Sequence, residues 1–165
     1  MSRPPKIFFP GSVHFVSISV EEDFMFPPNA LVKELIEKSI AQAQQLYPIK
    51  IIAILVESTH VHMLIRVIDP QDAVDFFERF KTESAHAVNR LLGRKKRTVW
   101  CEGYDSPLVD DVETIKDKLA YIYENPAKDG LTDQVDHFPG VCTWNDFKSL
   151  GPRSTSKRVY ETRYL

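Results

Sequence analysis

The stretch ESTHVHMLIRV, Glu57 to Val67, sets two histidines one residue apart inside an otherwise apolar run. A β-strand repeats every two residues, so His60 and His62 share a face that continues through Leu64 and Arg66. Val61, Met63, Ile65 and Val67 form a clean apolar row on the other face. The run just before it, IKIIAILVES (49–58), is apolar on both parities, which is the pattern of a strand buried on both faces. Ser58 and Thr59 supply the turn between them. The two strands therefore form an antiparallel hairpin at the centre of a sheet, and the histidines sit on one of its faces. By itself an HxH pair is no more than a polar face with two hydrogen-bonded imidazoles.

The flanking elements extend this hairpin into a fold. GSVHFVSISV (11–20) reads as a strand. Leu31, Leu35, Ile36, Ile40, Ala43 and Leu46 recur at helical spacing between a capping Asn29 and a terminating Pro48. A second helix runs from Pro70 to Gly93 with Val74, Phe77, Phe80, Ala85, Val88 and Leu92 as its core stripe. One short strand falls around Ser106–Val109, and a third helix runs from about Asp111 to Asn125, ended by Pro126 and Gly130. The order β-α-β-β-α-β plus a final helix is an α+β, ferredoxin-like split βαβ fold. It has a four-stranded antiparallel sheet with helices on one face and the other face free, plus a C-terminal tyrosine-bearing helix. Residues 1–150 form one domain, and 151–165 read as a loosely ordered tail.

The 165 residues carry a net charge of −2, with 43% hydrophobic and 27% charged residues, an ordinary balance for a globular protein. Cys101 and Cys142 match no zinc or disulfide spacing, which fits a reducing, cytoplasmic home. No apolar run approaches the roughly eighteen residues of a membrane span, so no membrane partner is expected. Charge is unevenly spread: Arg90, Arg94, Lys95, Lys96 and Arg97 cluster after the second helix, whereas acidic residues collect at Glu21–Asp23 and 109–113. The basic cluster is equally a phosphate-binding patch and a solvated loop.

The third helix holds a second group of chemical side chains. Tyr121 and Asn125 are four residues apart and share a helix face, while Tyr123 turns away from it by roughly 160°. Two imidazoles with one amide oxygen form a ligand set for a divalent cation that leaves positions open, and a phenol beside it is a nucleophile. Equally, Tyr121 is a core-edge aromatic and Asn125–Pro126 a helix stop.

These residues, in this order, resemble a known family. THVHMLIRV resembles the histidine–hydrophobic–histidine signature of HUH nucleases. YIYENPAKDGL resembles the tyrosine helix of the single-tyrosine transposases, with FFPGSVHFVSISV, the Phe-Lys pair of ERFKTESAHAVNR, Trp100 and DHFPGVCTWNDF as further matches. The resemblance covers about residues 5–148 and is strongest to the REP-associated tyrosine transposases among the IS200-like transposases. It implies His60, His62 and Asn125 as ligands of Mg²⁺ or Mn²⁺, and Tyr121 as the nucleophile. The implied activity is a DNA transposase, a metal-dependent endonuclease and strand-transferase acting on single-stranded or hairpin DNA through a 5′-phosphotyrosine. Arg90, Arg94, Lys95, Lys96, Arg97 and Trp100 become its DNA-binding residues, with Phe8, Phe9, His14 and Tyr104 as further stacking candidates. A domesticated, non-cleaving DNA-binding protein of the same fold is the alternative. Monomer and homodimer both stay open, and metal affinity without DNA is expected to be low, because this ligand set carries no negative charge.

Overall fold

The structure is a computed structural model that describes residues 6–27, 29–95 and 97–150. The tail expected at 151–165 and Lys96 of the basic cluster lie outside the described residues. Strand β1 (Val13–Ser19) leads to helix α1 (Ala30–Leu46), the hairpin β2 (Lys50–Val56) and β3 (His60–Arg66), and helix α2 (Pro70–Leu91). A short β4 (Leu108–Val109), helix α3 (Val112–Lys128), a 3₁₀ turn (Val135–His137), β5 (Val141–Cys142) and α4 (Trp144–Leu150) complete the chain. Local chemistry sets the helix starts. Asn29, Asp69 and Asp111 each accept a hydrogen bond from a backbone N–H of the first turn.

The sheet is antiparallel with the order β4-β1-β3-β2-β5. It has five strands rather than four, because Val141–Cys142 adds a two-residue edge beside Leu55 and Val56. Such an edge is too short to carry an alternating pattern. The period-two reading of β3 holds. Val61, Met63 and Ile65 join Val16, Ile18 and Ile54 in a core closed by Ile36 and Ile40 of α1 and Phe76, Phe77 and Phe80 of α2. Each of those three phenylalanines is fully buried, worth roughly 1.5–3 kcal/mol apiece.

The opposite face is not free. Phe15, Ala53, Leu55 and Leu64 form a second, smaller core with Ile122 and Tyr123 of α3. This explains why β2 is apolar on both parities: α1 and α2 cover one side and α3 the other. Helix α3 also continues past the residue expected to stop it. Pro126 lies within it, in the last turn, where it cannot donate to the Ile122 carbonyl but does not stop the helix. Beyond the proline, Asp129 N–H donates to the Asn125 carbonyl and Leu131 N–H to the Pro126 carbonyl, both at 2.8 Å. Gly130, at φ 68°, then turns the chain away.

Candidate active site

Strand register brings the site together. β1 pairs with β3 so that Ser17 faces His62 and Ser19 faces His60. The Ser17 hydroxyl lies 2.9 Å from His62 Nδ1, and the Thr59 hydroxyl 2.9 Å from His60 Nδ1. Each histidine thus has Nδ1 occupied by a hydroxyl. The two imidazole centroids are 4.5 Å apart. Burial, reinforced by the charges of His60 and Lys118 and opposed by Asp129, holds the His62 pKa down to about 4. His62 is therefore neutral near pH 7, the form in which an imidazole binds a metal.

α3 lies across this face and presents Tyr121 to it. The Tyr121 ring is 5.3 Å from His62 and 5.8 Å from Phe15, edge-on to both, and Phe15 stacks on His62 at 5.3 Å. Tyr121 keeps 39% of its surface exposed. Tyr123 points elsewhere: it is buried, its hydroxyl meets Thr143 Oγ1 at 3.1 Å, and its ring packs on Trp144 and Phe147 of α4. Desolvation pushes its pKa up to about 12. Asn125, one turn past Tyr121, is buried.

Two carboxylates not anticipated from the sequence complete the arrangement. Ligand atoms of Glu57, His60 and Asp129 all lie within 4.8 Å of one another. The Glu57 side chain is 1% exposed, and its Oε2 lies 2.7 Å from His60 Nε2. Apart from this contact with His60, no partner of the Glu57 carboxylate is found among the described residues. A carboxylate buried with a single partner is costly, and a divalent cation shared with His60 and Asp129 would relieve it. These residues fit a divalent metal, and they supply the negative charge that two imidazoles and an amide lack. Both were within reach of sequence reasoning. Glu57 opens the very stretch that carries the histidines, and Asp129 follows Asn125 at helical spacing, hidden only by ending the helix at the proline.

The site reads as two facing rows. The sheet and its hairpin turn contribute Glu57, His60, His62 and Phe15, and α3 with its C-terminal residue contributes Asp129, Tyr121 and Lys118. Lys118 Nζ sits 4.7 Å from the Phe15 ring centroid and closes the row at the end away from the carboxylates.

The nucleic-acid candidates divide. Arg90, Lys95 and Arg97 are exposed, and the Asn89 side chain donates to the Arg97 carbonyl at 2.7 Å, pinning the loop. Arg94 is half-buried with its guanidinium 4.5 Å from the Phe24 ring. The loop runs back beside the site, because Val99 accepts from the Glu21 N–H while Val20 N–H donates to Thr59, the residue before His60. The acidic run Glu21–Asp23, remote in sequence, lines one open pocket with Arg94 and Arg97. Trp100 is a core residue, not a stacking platform: it is 5% exposed, packs on Phe26 and Phe80, and donates its indole N–H to Ser84 Oγ at 2.9 Å. Phe8, His14 and Tyr104 are likewise buried, which leaves Phe9 as the exposed aromatic of that group.

A histidine pair on a central strand, faced by a tyrosine from a helix laid over the sheet, is thus set on a split βαβ frame. The chain belongs to the family described as "Transposase IS200 like", whose profile matches residues 8–125. A Haemophilus influenzae protein, provisionally described as a REP-associated tyrosine transposase, is 21% identical over 158 residues, covering 90% of this chain and 89% of its own. The structure of a REP-associated tyrosine transposase bound to a REP hairpin superposes with a TM-score of 0.73 at 19% identity, over 96% of this chain and 93% of that one. The tRNA(His) guanylyltransferase of Saccharomyces cerevisiae shares the fold at a TM-score of 0.55 and 17% identity, over 78% of this chain and 64% of that one. One frame thus hosts different chemistries, and the site has to carry the functional argument. Among the described residues no helix is long and apolar enough to cross a membrane.

Proposed function

We propose that this protein cleaves and rejoins single-stranded or hairpin DNA through a covalent 5′-phosphotyrosine on Tyr121. The observation that carries the reading is the facing of Tyr121, not Tyr123, onto His62. His60, His62 and Asn125, joined by Glu57 and Asp129, would hold Mg²⁺ or Mn²⁺. When bound, that ion supplies positive charge to the phosphate oxygens.

The chain's own residues do the rest. Ser17 and Thr59 fix the two imidazole rings, and the Phe15 and His62 rings fix the Tyr121 ring against the sheet. A nucleophile held in one orientation gains much of the advantage of an intramolecular reaction. The Tyr121 oxygen bonds to phosphorus as its proton leaves to solvent. The 3′ oxygen departs and is protonated, leaving a free 3′-hydroxyl and a 5′ phosphate esterified to Tyr121. Rejoining runs the reaction backwards with a different 3′-hydroxyl, so the phosphodiester bond energy is conserved and no nucleotide cofactor enters. Arg90, Arg94, Lys95 and Arg97 would grip a hairpin stem through its phosphates, which sets register without reading sequence.

The test is incubation with hairpin oligonucleotides and Mn²⁺, including palindromes flanking the protein's own gene. A denaturation-resistant protein–DNA species is expected. Tight hairpin binding with no such species on any of them overturns the reading in favour of a non-cleaving DNA-binding protein.

A further inference from the structure

Lys118 has a position no part of this reading uses. It precedes Tyr121 by three residues on α3, so the two side chains share one helix face. Its ammonium lies 4.7 Å from the Phe15 ring centroid and 5.8 Å from that of Tyr121. The neighbouring lysines of the helix each have a carboxylate partner, including Lys128, whose ammonium lies 5.7 Å from the Tyr121 ring centroid. Lys116 pairs with Glu113 at 2.7 Å and Lys128 with Glu124 at 2.8 Å. Among the described residues, no carboxylate pairs with Lys118. The site therefore has Glu57, His60 and Asp129 grouped together, Tyr121 against His62, and over Phe15 a half-buried lysine with no carboxylate partner among the described residues.

We infer that Lys118 is a second cationic contact for the scissile phosphate, on the opposite side of Tyr121 from Glu57, His60 and Asp129. This rests on the proposal that Tyr121 attacks a DNA phosphate. A phosphodiester has two non-bridging oxygens, and attack from Tyr121 directs them to either side of the attacking atom. One then faces the carboxylate–histidine end and the other faces Lys118. Negative charge on both oxygens grows as the new bond forms, so a fixed positive charge there favours the transition state over the ground state. An ammonium on a flexible stem, with three donors, suits a phosphate that changes geometry during reaction. Phe15 holds it in place by cation–π attraction without neutralising it. The plainer alternative is a lysine stem resting on an aromatic ring, contributing packing alone.

Two measurements separate these. In the first, every protein carries Tyr121→Phe and binds a hairpin oligonucleotide in Mg²⁺ across a range of salt. Adding Lys118→Met is expected to reduce the slope of log affinity against log salt by about 0.7–1, with thermal stability unchanged. An unchanged slope overturns the inference. In the second, Tyr121 is intact and single-turnover adduct formation is followed at saturating hairpin DNA. Lys118→Met is expected to slow it roughly 10–100-fold, with the Mn²⁺ concentration for half-maximal rate unchanged, and Lys118→Arg to recover most of the rate. A Lys118→Met protein that reacts at the parental rate overturns the inference, as does a Lys118→Arg protein equally slow. Absence of any adduct from the parent protein would be a failure of the transposase reading instead, and the salt slope would still decide Lys118.

Discussion

The ring of Tyr121 stands edge-on to the imidazole of His62, with centroids 5.3 Å apart and planes inclined at 71°. Two residues along, Tyr123 faces the other way and bonds Thr143. Tyr121→Phe is expected to abolish the covalent DNA adduct and leave stability nearly unchanged, because its half-exposed ring loses only a hydroxyl. Tyr123→Phe should keep the adduct but cost about 1 kcal/mol, since a buried hydrogen bond goes. Denaturing gels and urea unfolding of both variants check this. An adduct that persists in Tyr121→Phe and disappears in Tyr123→Phe would show that the wrong tyrosine is named.

Glu57 offers a test of the metal that needs no DNA. Its carboxylate is buried with His60 as its one partner among the described residues. Glu57→Gln should weaken Mn²⁺ binding to the DNA-free protein by at least about tenfold, because a hard cation draws its affinity from carboxylate charge. The metal-free variant should be at least as stable as the parent, since a poorly solvated carboxylate is gone. Mn²⁺ electron paramagnetic resonance reads the first effect and thermal unfolding in chelator reads the second. Equal Mn²⁺ affinity in both proteins would make the Glu57–His60 contact an ordinary ion pair.

Much of this site was legible from local periodicity, and what was missed shows where periodicity stops. Period two put His60 and His62 on one face of β3, and the four-residue spacing put Tyr121 with Asn125 on one face of α3. Neither argument needs tertiary information. Ser17, which fixes His62, is 45 residues away in sequence and becomes its partner only through the β1–β3 register. A proline disrupts a helix interior, yet α3 runs two residues past Pro126 and closes with the Asp129 N–H on the Asn125 carbonyl, which residue spacing does not foretell. Ending the helix at the proline hid Asp129. Trp100 was misjudged by its company: it follows a basic loop, but the loop's direction into the core is set by Ser84 and Phe80, which sequence spacing does not connect to it.

His62 carries a stability dependence with a definite sign. An unfolded histidine titrates near 6.5, whereas burial first, then neighbouring positive charge, lowers the folded value to about 4. Above pH 6.5 both states are neutral there and the group contributes no pH dependence. Between 6.5 and 4 the unfolded chain takes up a proton that the folded protein refuses, so stability falls as pH falls. The loss across that window is on the order of 3 kcal/mol. Urea midpoints measured in chelator at several pH values between 7 and 4 should drop more steeply for the parent than for His62→Gln. Parallel curves would mean that His62 is solvated enough to titrate normally.

Trp100 and the basic loop beside it should separate cleanly into stability and binding. Trp100→Phe removes the indole donor from Ser84 Oγ, which itself donates to the Phe80 carbonyl at 2.6 Å, and leaves a gap beside Phe26. The expected cost is about 1–3 kcal/mol, with hairpin affinity unchanged under conditions where the protein stays folded. Replacing Arg90 and Lys95 together by alanine should do the reverse. Both side chains are exposed, so stability should move by no more than about 0.5 kcal/mol. Hairpin affinity should fall, with the salt slope reduced by about 1.4–1.8 for two lost phosphate contacts. Fluorescence anisotropy over a salt series, run beside thermal unfolding, measures both quantities on the same samples. If Trp100→Phe weakened hairpin binding without loss of stability, the ring would be acting on DNA despite its burial. If the Arg90–Lys95 double variant kept the parental salt slope, the basic loop would be a solvated surface and the hairpin would be held elsewhere.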